Sequence, residues 1–70
     1  MNEYVVIFEE AADGGWGAYI PDVPGVVALG ESRDEVAARI QEALKAYAAE
    51  MKAQGRVLPD PLHAAGTARL

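Results

Sequence analysis

Few residues in this 70-residue chain are equipped for covalent or acid–base chemistry. There is one histidine, His63, one serine, Ser32, one threonine, Thr67, and no cysteine. A general base needs fixed geometry and an orienting partner. His63 lies in a loosely patterned C-terminal segment and is read as a surface residue. Ser32 has no Gly-x-Ser-x-Gly context and is better explained as a helix cap, so triad chemistry is not expected. The carboxylates Glu9, Glu10, Asp13, Asp22, Glu31 and Asp34 fall at strand ends and turns. Two-metal hydrolases use such groups, but this spacing does not by itself converge them, and they are read as acidic turn residues. Gly14-Gly15-Trp16-Gly17 has the glycine density of a phosphate loop. A phosphate cradle, however, runs directly into a helix N-terminus, and here a strand follows. Tyr4, Phe8, Trp16 and Tyr19 could stack on single-stranded RNA; with no cations among them, core packing or a protein interface is the expected role. No catalytic residue, metal ligand or cofactor is therefore expected.

The elements that would hold these residues follow from pattern. Residues 4–9 (Tyr-Val-Val-Ile-Phe-Glu) are rich in β-branched and aromatic types and predict a strand. Tyr4, Val6 and Phe8 share one face, Val5 and Ile7 the other. Both faces are apolar, which predicts a central or doubly covered strand. Asp13-Gly14-Gly15 predicts a hairpin turn, and Trp16 to Ile20 the return strand, with Gly17 marking a bulge or a close backbone approach. Pro21, Asp22, Val23, Pro24 and Gly25 break that strand; Pro24-Gly25 suits the centre of a type II turn. Val26 to Leu29 is a third short strand. Gly30-Glu31 leads into Ser32-Arg33-Asp34-Glu35, a capping box in which Ser32 accepts from the Glu35 amide and Glu35 reaches back to the Ser32 amide. Val36, Ile40, Leu44, Tyr47 and Met51 then form one helical stripe, ended at Gln54 with Gly55 as the residue beyond the cap. The expected fold is a two-layer α+β domain, β-β-β-α(-β), an antiparallel sheet with one long helix on one face. It covers residues 1–61, followed by a tail or short edge strand over residues 62–70.

Composition narrows the function. Apolar types make up 51% of the chain, but fourteen of those residues are alanine, so only 22 larger apolar side chains remain for a core. A domain this small is marginal alone, and self-association is expected. Six basic against eleven acidic residues give a net charge of −5. Nucleic-acid binders need a basic footprint, so direct nucleic-acid binding is not expected; the acidic balance suits a soluble protein or one whose partner is basic. No apolar run approaches the roughly 18 residues of a membrane span, and Met1-Asn2-Glu3 lacks a signal peptide's basic start. A cytoplasmic location follows as the expectation.

The motif series Tyr-Val-Val-Ile, Asp13-Gly14-Gly15-Trp16, Ala18-Tyr19-Ile20-Pro21-Asp22-Val23-Pro24-Gly25, Gly30-Glu31-Ser32 with Glu35, Glu42-Ala43 with Tyr47, and Pro59-Asp60-Pro61 resembles the HicB-like antitoxin family from about Tyr4 to Pro61. The resemblance implies a degenerate ribonuclease-H-like fold without ribonuclease catalysis. It implies a homodimer or higher oligomer, and binding to a small basic HicA-like toxin that cleaves messenger RNA. Relatives often carry a further C-terminal DNA-binding domain, and Cys where this chain has Val26; the chain is expected to lack the former. Asp13, Trp16, Tyr19, Asp22 and Glu31 are the expected partner contacts. Two other readings are a stand-alone homo-oligomeric scaffold or small-ligand module, and a residual metal-dependent nuclease.

Overall fold

A computed structural model describes residues 3–70. Met1 and Asn2, part of the N-terminal stretch read above for targeting signals, lie outside them. Three strands form in chain order, β1 (Ile7–Glu10), β2 (Trp16–Tyr19) and β3 (Val27–Gly30), followed by one helix, α1 (Arg33–Ala53). The sheet is an antiparallel meander in the order β1-β2-β3, and α1 packs across it, chiefly against β2 and β3. This is the expected two-layer α+β arrangement of three antiparallel strands and one long helix.

The register sorts side chains to two faces. Ile7 pairs with Tyr19 and Tyr19 with Val27; Glu9 pairs with Gly17 and Gly17 with Leu29. These six residues share the outer face, because side chains alternate along each strand. Phe8, Trp16, Ala18 and Ala28 face the helix instead. There the core consists of Ala18, Ile20, Val23, Val26, Val36 and Ile40, with Tyr4, Val6, Phe8, Trp16, Tyr47 and Leu58 packed at its rim.

Several local expectations are corrected. The first strand is an edge strand, not a central one, and begins at Ile7 rather than Tyr4. Its partner β2 ends at Tyr19, and the next residues enter a turn, so residues 4–6 have no strand to pair with. Gly17 forms no bulge: the pairing runs through it without a skipped residue. The hairpin loop is Ala12-Asp13-Gly14, closed by the Ala11 amide donating to the Gly15 carbonyl (2.7 Å), with Gly14 in the left-handed region at φ 90°. Two β-turns follow in succession. The Val23 amide donates to Ile20 and the Val26 amide to Val23, both at 3.0 Å, which places Pro21 and Pro24 at the second position of each. The second turn is not type II, because Gly25 does not take the positive φ that type requires. Glycine is needed there for another reason: a Cβ on Gly25 would lie 3.0 Å from the Tyr47 ring.

The helix start follows the capping logic with one change. Ser32 accepts from the Glu35 amide (3.1 Å), but the Glu35 carboxylate accepts from Glu31 (2.8 Å), not from Ser32. That carboxylate sits against Gly30, where a Cβ would come within 2.9 Å of Val36 Cγ2. Gly30 thus lets β3 turn tightly into α1. At the far end Gly55 (φ 72°) donates to Lys52 at 3.0 Å and Arg56 to Met51 at 2.8 Å. These two bonds make a Schellman motif that satisfies the last carbonyls.

Residues 56–70 contain neither helix nor strand, so the edge strand allowed for residues 62–70 does not form. The segment is nonetheless fastened: Leu58 packs on the core, and the Tyr4 hydroxyl donates to the Pro59 carbonyl (2.5 Å).

Candidate functional site

The hairpin β1–β2 and the start of α1 bring Asp13 and Glu31 together at one end of the sheet, where they flank a small depression at Gly14 and Gly15. Asp13 is fixed by its own turn, its Oδ1 accepting from the Gly15 amide (2.9 Å). Beside it an open groove of about 570 Å³ runs onto the outer sheet face, lined by Glu9, Glu10, Asp13, Trp16, Gly17 and Leu29 among others. Three of the five expected contact residues, Asp13, Trp16 and Glu31, are therefore neighbours. Glu9, Glu10 and Leu29 join them, and sequence reasoning had not grouped these as a surface. The signal was present in the hairpin: once Asp13-Gly14 sets the turn, alternation places Glu9 opposite Gly17.

Tyr19 also lies on the outer face but in the other row, beside Ile7 and Val27. It is 40% exposed, with Val27 at 63% and Leu29 at 75%. Tyr4, Phe8 and Trp16 are half-buried against the core instead, and the Arg33 guanidinium stacks over the Phe8 ring at 4.7 Å.

Asp22 departs from the expectation of a surface contact. Its side chain is 4% exposed and is held by His63, whose Nδ1 lies 2.7 Å from Asp22 Oδ1 and whose amide donates to Oδ2 (3.2 Å). Burial pushes the Asp22 carboxyl up. The His63 side-chain and amide hydrogen bonds, a further bond from the Leu62 amide and the His63 charge outweigh it and hold the group below the usual carboxylate value. His63 stays exposed, as expected of a surface residue, yet it pins the C-terminal segment to the loop after β2. The two residues lie 41 positions apart, and no local pattern announces the pair.

No three His, Asp or Glu side chains among the described residues are placed to hold a metal ion together. No helix among them is long and apolar enough to cross a membrane.

Fold and surface together define a small two-layer α+β module with an acidic groove at the hairpin end of its sheet. The family model described as "HicB_like antitoxin of bacterial toxin-antitoxin system" matches residues 4–68, nearly the whole chain. The chain belongs to this HicB-like antitoxin family. No curated protein and no solved structure was found to match it.

Proposed function

We propose that the chain neutralises a small basic toxin of HicA type by binding it, with no catalysis of its own. The observation that carries this reading is the family match over residues 4–68. The charge supports it: an acidic protein of net charge −5 is suited to capture a basic one, because complementary fields speed encounter and suppress wrong partners. The reading further holds that the β-β-β-α order is a remnant of a ribonuclease-H-like fold, that the protein works in the cytoplasm, and that it does not itself bind nucleic acid. Asp13, Trp16, Tyr19 and Glu31 remain the proposed contacts; the buried Asp22 acts behind them, by holding the C-terminal segment.

Self-association is a second element of the reading. Tyr19, Val27 and Leu29 leave apolar surface on the outer sheet face, and the small core of a 70-residue chain gains from further burial. Either oligomers or a toxin complex would cover it. Co-expression with a small basic toxin of HicA type, followed by affinity capture and sedimentation, tests both. The expected result is a complex that persists at micromolar concentration. A mixture that separates into its two components would contradict the proposal.

A further inference from the structure

The row Glu9–Gly17–Leu29 crosses the outer face at the hairpin end. Gly17 leaves the groove floor as bare backbone, and Leu29 forms an exposed apolar wall whose Cδ2 would stand 3.2 Å from a Cβ at position 17. The rim is acidic: Glu9, Glu10 and Asp13 line it. None of the three pairs with a cation among the described residues. The arginines nearby are committed elsewhere. Arg33 covers the Phe8 ring, and Arg39 donates to the Leu29 carbonyl (2.7 Å) beside Glu35.

Arg39 also distinguishes the two sheet edges. The Ala11–Gly15 bond that closes the hairpin fixes the alternation of the ladder. By that alternation the backbone groups of Val27 and Leu29 point away from β2 on one edge, and those of Phe8 and Glu10 on the other. The Leu29 carbonyl is already occupied. Among the described residues no loop, turn or cap backbone bond reaches Phe8 or Glu10, so β1 is the open edge and it borders the acidic groove.

We propose that this groove takes a lysine or arginine side chain from a basic, extended polypeptide segment lying along β1. The aliphatic stem would cross β1 beside Glu9 towards the bare backbone of Gly17 and the Leu29 wall, and the cationic head would lie in the field of Glu9, Glu10 and Asp13. The proposal rests on the toxin-binding reading and names its contact surface. A second copy of the chain is a poorer occupant of the same groove, because a two-fold contact brings the same patch to both sides and sets these carboxylates against one another.

Amide NMR titration of the chain with the peptide acetyl-Val-Arg-Val-Arg-Val-Arg-amide, against a counterpart with Glu in place of Arg, tests this. Shifts are expected along Glu9, Gly17 and Leu29 with the arginine peptide alone, weakening as salt rises. Affinity is expected to fall about tenfold or more in Glu9→Gln/Glu10→Gln and in Gly17→Val. Gly17 does not use a positive φ, so valine there fills the groove without backbone strain; the glutamine pair tests the charge with no change of shape. The proposal is overturned if both variants bind like the parent, or if shifts centre on the helix carboxylates Glu42 and Glu50. Shifts at the groove that follow protein concentration in the absence of peptide would overturn it in favour of a second copy. The toxin reading fails separately: a groove that binds the peptide in a chain that captures no toxin contradicts that reading alone, and a toxin captured equally by parent and variants contradicts the groove alone.

Discussion

Through His63, Asp22 ties the C-terminal segment to the loop after β2. A carboxylate between two prolines looks like an exposed turn acid, yet it is buried and bonded to His63. A folded-state value below the unfolded one means that ionised Asp22 favours the folded chain. That contribution is fully present above the unfolded value of 3.8 and disappears as pH falls through the lowered folded value. Asp22→Asn should therefore be less stable than the parent near neutral pH, and the gap should close as pH falls below about 4. Urea unfolding of both proteins at a series of pH values measures this, with amide exchange of residues 62–64 reporting whether the C-terminal segment loosens. A gap that does not change with pH would mean that the carboxylate acts through shape alone.

At the scale of elements, the helix shows how far local pattern reaches. The capping serine, the apolar stripe and the terminating glycine all stand in the sequence, and α1 forms over Arg33–Ala53 with caps at Ser32 and Gln54. The depth of burial along it was not legible, because that depends on what lies opposite. A helix of 21 residues is roughly 32 Å long, whereas strands of four residues span only about 13 Å. The sheet therefore covers only part of the stripe: Val36 and Ile40 are buried, while Met51 is only partly so. Ile40→Ala should cost about 2–5 kcal/mol, and Met51→Ala less than about 1 kcal/mol; denaturant midpoints at constant m-value separate them. Equal losses would indicate that the far end of α1 is covered in solution, by a contact separate from the outer sheet face. The strands were legible in number and order but not in placement. The apolar residues on both faces of 4–9 suggest a central or doubly covered strand, and only the ladder shows β1 at the edge, where its outer side carries Ile7 and Glu9.

For the whole molecule, charge and size carry the most. The candidate site could be read only in pieces, because Asp13, Glu31 and Glu9 come from three segments that the meander and the turn into α1 bring together. The reassembled surface has acid at one end and exposed Tyr19, Val27 and Leu29 across its outer face, the mixture expected of a protein interface. The central claim is that this surface serves to silence a toxin. Its most direct test is to titrate the purified chain into an RNA-cleavage assay of a small basic HicA-type toxin. Cleavage should fall to background as the chain approaches a stoichiometric amount; undiminished cleavage at a several-fold excess of folded chain would contradict the claim.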